Sequence, residues 1–154
     1  MRASIMLALA ATIAGCGSDS GPSGGATIET TTFAASLGID LAQMTKTSSG
    51  LYYREITTGS GALAGPGSRV SLHYAGSLAN GTQFDANEEP AQPLQFTLGA
   101  GQVIPGFDEG VRGMKVGGRR QLIIPPSLGY GGSQVGPIPP NSILVFRVDL
   151  VAVQ

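Results

Sequence analysis

Five stretches of the chain read as strands, and in three of them apolar and polar residues alternate. In RVSLHYAGSL (Arg69 to Leu78), Val70, Leu72 and Tyr74 fall on one side and Ser71, His73 and Ala75 on the other. That period of two is the pattern of a half-buried strand. LYYREIT (Leu51 to Thr57), PLQFTLG (Pro93 to Gly99), GGRRQLIIP (Gly117 to Pro125) and SILVFRVDLVAV (Ser142 to Val153) are the other four. In the last, Leu144, Phe146, Val148 and Leu150 share a face. After the second strand, Asn80-Gly81 supplies a strong hairpin signal, since both residues tolerate the positive φ a tight turn needs. Strands joined by short turns favour antiparallel pairing.

One stretch breaks the alternation. In LGAGQVIPGFDEGVRGM (Leu98 to Met114), Ile104, Phe107, Val111 and Met114 recur at helical spacing. Glycines interrupt it at Gly99, Gly101, Gly106, Gly110 and Gly113, and each one inside a helix costs about 1 kcal/mol relative to Ala. Pro105 suits the first helical position, where its missing N–H is no loss. Asp108 and Glu109 precede Arg112 and Lys115, in the order the helix dipole favours. A helix this short is unstable alone and needs a sheet to hold it, and Gly106 and Gly110 keep it slim where a strand or a ligand passes close. The expected architecture is α+β, a curled antiparallel β-sheet of about five strands wrapped around one short α-helix.

The residues before Leu51 have a different texture. MRASIMLALAATIAGCGSDSGPSGG begins with one Arg, continues in an apolar run from Ile5 to Ile13 and ends in small residues. This is the pattern of a secretory signal, too short for a membrane-spanning helix. Ile13-Ala14-Gly15-Cys16 resembles the bacterial lipoprotein signal, in which cleavage leaves a lipid-bearing Cys as the new N-terminus; a plain secretory peptide with a chance Cys is the alternative. By that resemblance residues 1–15 are removed and Cys16 anchors the protein in a bilayer. Gly17, where enteric bacteria place Asp to retain a lipoprotein at the inner membrane, permits the outer membrane, facing the periplasm or the cell surface. Residues 16–48 comprise a Gly-, Ser- and Thr-rich tether and an arm, FAASLGIDLAQMTKTSSG (Phe33 to Gly50). The arm's apolar residues suit either a short helix or an extended segment, packed on the domain or free as an interaction handle. Residues 49–154 form the folded domain.

Charge narrows the function. Charged residues are only 12% of the chain and net charge is −1, so nucleic acid is not an expected partner. The one basic cluster, Arg112, Lys115, Arg119 and Arg120, reads as a solvated rim, with a phosphate or headgroup patch as the lesser alternative. One Cys and one His exclude an internal disulfide and a His/Cys metal cluster, and no metal or cofactor is expected. No G-x-S-x-G nucleophile elbow is present, and His73 on an alternating strand reads as a structural histidine. Gly99-Ala100-Gly101 is only a fragment of a dinucleotide fingerprint, with no surrounding βαβ unit.

Three stretches carry a family resemblance: VSLHYAGSLANGTQFDAN, PLQFTLGAGQVIPGFDEGVRGMKVGGRRQLIIPPSLGYG and IPPNSILVFRVDLVAV. From about Ser49 to Gln154 the chain resembles the FKBP-type peptidyl-prolyl cis–trans isomerases, the macrolide-binding immunophilins. The resemblance implies rotation of X–Pro bonds in proline-containing polypeptides, with macrolides as inhibitors and without a cofactor. It places the catalytic pocket on Tyr74, Phe84, Asp85, Val103, Ile104, Phe107, Tyr130 and Phe146, with Leu94, Phe96, Gln102 and Ile138 as further substrate contacts. It makes Phe107 the floor of a proline-sized hole and Tyr74, Phe84 and Phe146 its walls. It gives Ile104 an N–H for the substrate carbonyl, Tyr130 a hydroxyl for the ligand, and Asp85 a place at the rim. Phe107 stands where many members have Trp, Leu94 where some have Phe. Glu88, Glu89 and Pro90 occupy the loop that in some members supplies a basic partner for the Asp. Read without the resemblance, each of Tyr74, Phe84, Phe96 and Phe146 is better explained as core, and Asp85 as a turn residue. A non-catalytic binding or chaperone module using the same pocket, and a lipid-anchored surface ligand with the arm as handle, are the competing functions.

Overall fold

The computed structural model describes residues 27–154. The signal stretch and Cys16 lie outside the described residues. Seven strands form one antiparallel sheet: β1 (Thr45–Lys46), β2 (Tyr52–Thr57), β3 (Arg69–Leu78), β4 (Gln83–Asn87), β5 (Leu94–Thr97), β6 (Arg119–Ile124) and β7 (Leu144–Val153). Among the described residues there is one α-helix, α1, spanning Pro105–Val111. The order across the sheet is β1-β2-β6-β7-β3-β4. The outer edge of β3 is shared, with β5 pairing Arg69 to Leu72 and β4 pairing Tyr74 to Ser77.

The α+β architecture is as expected, but there are two more strands than the five the sequence predicts. β1 is two residues long, too short to show any period. β4 (QFDAN) carries one large apolar residue and lies at an edge, where a single hydrogen-bonding neighbour suffices. Along β7, Leu144, Phe146, Val148 and Leu150 are at most 2% exposed, as their spacing predicts. In β3 the polar set is buried as well: Ser71 is 8% and His73 7% exposed. His73 Nδ1 lies 3.1 Å from Asn87 Oδ1, a structural hydrogen bond.

The sheet is apolar on both faces. Its concave face holds the main core around α1. Tyr52, Ile123 and Val145 face the other way, with Ile28 and Ile143, and are covered by Phe33, Leu37, Ile39, Leu41 and Met44 of the arm. The arm is thus neither one helix nor a free handle. It makes 3-10 turns at Ala35–Leu37 and Leu41–Gln43 and then β1. Gln121 Nε2 donates to Leu37 O at 2.7 Å, and Ala34 N to Ala79 O at 2.8 Å. The second bond ties the arm to the β3–β4 hairpin.

Helix α1 explains its glycines. A Cβ on Gly106 would lie 2.5 Å from Ile124 Cγ2, and one on Gly110 2.5 Å from Leu122 Cδ1. Only glycine lets the helix lie this close to β6. Ile104, Phe107, Val111 and Met114 are all at most 1% exposed.

The basic cluster is not a solvated rim throughout. Arg120 is 6% exposed. Its Nη1 donates to Gly110 O and Arg112 O, both at 2.9 Å, which satisfies orphan carbonyls at the helix C-terminus. Its other nitrogens bond Glu55. Arg112 pairs with Asp108 and Arg119 with Asp149. These charges are consumed by the fold.

Candidate functional site

Four elements converge over the concave face. β3 brings Tyr74, β4 brings Phe84 and Asp85, β7 brings Phe146 and α1 brings Phe107. The Phe107 ring is central, 5.2 Å from Phe146, 5.8 Å from Tyr74 and 5.9 Å from Phe96 between centroids. Phe146 in turn meets Phe84 edge-on at 5.6 Å and Tyr74 at 6.1 Å. Edge-to-face contacts of this kind add about 0.5–1.5 kcal/mol per pair beyond burial.

Two neighbours in sequence, Phe84 and Asp85, serve the same face. Successive strand residues ordinarily point to opposite faces. Here Gly76 pairs with Asp85 and Ser77 with Gln83, so Phe84 is the extra residue of a β-bulge. The bulge re-aims a side chain beside the site: Phe84 reaches Phe146, while Asp85 Oδ2 accepts from the Tyr74 hydroxyl at 2.8 Å. No ion pair among the described residues involves Asp85. The loop basic partner of some relatives has no counterpart, and Glu88 pairs instead with Arg147.

The phenols are held neutral. Burial raises the Tyr74 pKa well above the ordinary tyrosine value, and the Asp85 carboxylate adds to the effect. Tyr130 is raised by burial and then by Asp85. The Tyr130 hydroxyl is buried and has no hydrogen-bond partner among the described residues. A buried unsatisfied hydroxyl costs about 1–3 kcal/mol, so an incoming acceptor would remove that penalty.

The remaining residues fall into two groups. Val103, Ile104, Ile138 and Phe96 are buried with the rings, and Leu94 packs half-buried beside them. No backbone acceptor among the described residues takes the Ile104 N–H. Val135 and Ile138 exchange backbone hydrogen bonds at 3.1 and 2.9 Å, which fixes the loop carrying Ile138. Gln102 differs: it is exposed, and its Oε1 accepts from Thr97 N at 2.7 Å. In this arrangement it folds the loop before α1. Asp108 does similar work, accepting from Gly99 N at 2.8 Å and from Arg112.

Two features were not singled out from sequence. The bulge at Phe84 has no signature in QFDAN. Gly76 does have one, since a glycine inside an alternating strand marks a close approach. Among the described residues no group of three or more His, Cys, Asp or Glu is placed to hold a metal.

Comparison with known proteins bears on the family. Residues 61–151 match the model of the FKBP-type peptidyl-prolyl cis-trans isomerase family. An FK506-binding protein of Streptomyces anulatus is 53% identical over 106 residues, covering 67% of this chain and 86% of the relative. One from Neisseria meningitidis serogroup B is 48% identical, covering 68% of this chain and 96% of the relative. Among solved structures, FkpA from Escherichia coli superposes with a TM-score of 0.66 at 40% identity, over 73% of this chain and 52% of FkpA.

Proposed function

Because the chain belongs to the FKBP-type peptidyl-prolyl cis–trans isomerase family, we propose that its aromatic pocket turns X–Pro bonds by binding the twisted amide in a dry site. Rotation about the amide has a barrier of about 18–20 kcal/mol because it breaks resonance. No bond between heavy atoms is made or broken, so neither nucleophile nor metal is called for. The planar amide carries a large dipole and favours water. The twisted amide loses that charge separation, and an apolar site therefore favours it over the ground state. Each 1.36 kcal/mol of this preference is about tenfold in rate.

The observation that carries the reading is the orphaned Tyr130 hydroxyl beside the ring cluster. In this reading the proline ring sits over Phe107, walled by Tyr74, Phe84 and Phe146. The Tyr130 hydroxyl and the Ile104 N–H donate to substrate carbonyls. Asp85 holds Tyr74 in place from the rim. An FK506-type macrolide would compete for the same hole, with Leu94, Ile138 and Phe96 shaping its edge. The test is protease-coupled hydrolysis of a cis-proline peptide by the full chain. Acceleration is expected, with a loss in Phe107→Ala and a smaller one in Tyr130→Phe. A wild-type chain that gives no acceleration would refute it.

The domain is further proposed to work outside the cytoplasm, held to a bacterial membrane by lipid on Cys16. The lipobox-like Ile13-Ala14-Gly15-Cys16 and the Gly/Ser-rich stretch after it support this reading. Cys16→Ser should move the protein from the membrane fraction to the soluble fraction. If it partitions as wild type does, the anchor is not at Cys16.

A further inference from the structure

Gly76 lies two residues before the end of β3, where one face of the strand looks into the ring cluster. Its cross-strand partners are Asp85 on β4 and Phe146 on β7. A Cβ built on Gly76 would lie 2.7 Å from Phe146 Cε1, and 2.8 and 2.9 Å from Phe84 Cζ and Cε2. Both rings therefore occupy the space that a side chain at 76 would take. These overlaps do not involve flexible chain ends. Each ring is a rigid plane with two torsions, rooted in a strand.

The two rings differ in how they can yield. Phe146 is 0% exposed and wedged among Phe107, Tyr74 and Phe84. Moving it means moving the floor of the pocket. Phe84 is half-buried, sits on a bulge and belongs to an edge strand. It is the ring that a methyl group at 76 would push outward. Gly76 is not there for the backbone, because its φ is not among the positive values in the chain. The missing side chain is what matters.

We infer that Gly76 is a positioning residue for the isomerase pocket: its absent Cβ is the slot into which the bulge seats Phe84 against Phe146. The inference rests on the proposed reading of the pocket. With the slot filled, Phe84 stands off, the wall opens and water reaches the rotating amide. The damage falls on the step that needs a dry site, so kcat drops more than KM changes.

The experiment compares four full-length proteins: wild type, Gly76→Ala, Phe84→Leu and Gly76→Ala/Phe84→Leu. Cis-proline peptide isomerisation and binding of an FK506-type macrolide are both measured well below the melting temperature. Misplacing a reacting group by about 1 Å costs on the order of 100-fold, so Gly76→Ala should lose roughly 10- to 100-fold in kcat/KM. Leucine lacks the outer Phe84 ring atoms that meet the Cβ, and it leaves Phe146, which packs edge-on against that ring, the room to tilt away from its own 2.7 Å overlap. The double variant should therefore be no worse than Phe84→Leu alone. Losses that multiply, or a Gly76→Ala protein with wild-type activity and binding, would overturn the inference. Should Gly76→Ala fail to fold, the double variant decides. If it folds and matches Phe84→Leu, the slot belongs to Phe84; if it also fails to fold, the overlap is with Phe146 and the inference falls. A wild type that binds macrolide without isomerase activity sinks the proposed mechanism, while the macrolide data still judge Gly76.

Discussion

Replacing Gly106 with alanine sets helix propensity against packing. In an exposed helix interior, Gly→Ala stabilises by about 1 kcal/mol, and near the first turn by less. At Gly106 the new Cβ would lie 2.5 Å from Ile124 Cγ2 and 3.1 Å from Leu128 Cβ. Ile124 is β-branched, so its Cγ2 cannot move without leaving a stiff χ1 well, and it is 0% exposed. Overpacking of this kind costs about 1–3 kcal/mol, and the rigid partner puts this site toward the upper end. Packing therefore wins, and Gly106→Ala should be destabilised by roughly 1–2 kcal/mol despite its better propensity. The strain is relieved by lifting α1 off β6. That displaces Phe107, the next residue, along with the Ile104 amide. Isomerase activity should then fall on the order of tenfold, since small misplacements at a reacting centre are costly. Urea unfolding gives the stability and the protease-coupled assay the activity. A protein that gains about 1 kcal/mol with an unchanged m-value and full activity would show that β6 yields freely, and the account of the helix as glycine-thinned would be wrong.

Other outcomes follow from the same geometry. Tyr130→Phe removes a buried hydroxyl that bonds nothing among the described residues, so thermal stability should hold or rise, while macrolide affinity falls about tenfold, the scale of one hydrogen bond of ~1.5 kcal/mol; scanning calorimetry measures the first and calorimetric titration the second. Removing residues 1–48 uncovers Ile123 and Val145, whose burial is worth about 3–6 kcal/mol together, and the loss should appear in urea unfolding although the pocket residues are all retained. Tyr74 and Tyr130 have raised folded pKa values. Their contribution is complete below the unfolded value of about 10 and is lost as pH rises through it toward the folded values; a melting-temperature profile should therefore fall above that pH, and Tyr130→Phe should flatten part of the fall. Glu29 is held at about 2, chiefly by Lys46 and then by Tyr52. Its stabilising effect is present above its ordinary value and lost as pH drops toward the folded one. Protease nicking of the arm should increase below about pH 4, and Lys46→Ala should flatten that rise by raising the nicking already seen at neutral pH.

What the sequence determined is mostly local and periodic. Alternation located β3, β5 and β7 because a strand with one face on a core must repeat every second residue, while β2 and β6 read as strands without that period. Pro105 and the spacing of Ile104, Phe107, Val111 and Met114 located α1 for the corresponding helical reason. The ring residues of the pocket were legible through family resemblance, since Tyr74, Phe107 and Phe146 as bare letters look the same in a core and in a binding site. Tertiary structure decided the rest. β4 and β1 exist because a neighbouring strand offers unpaired hydrogen-bonding groups, not because their own residues show a period. Arg120 looked like surface charge until the end of α1, packed against β6, supplied two carbonyls for it to satisfy. The arm could have packed or hung free, and it packs because the sheet is apolar on the face that alternation assigned to solvent. Phe84 and Asp85 share a face only through a bulge whose other half is Gly76. Such facts depend on which atoms meet across strands, and a linear pattern records only what each residue shares with its near neighbours.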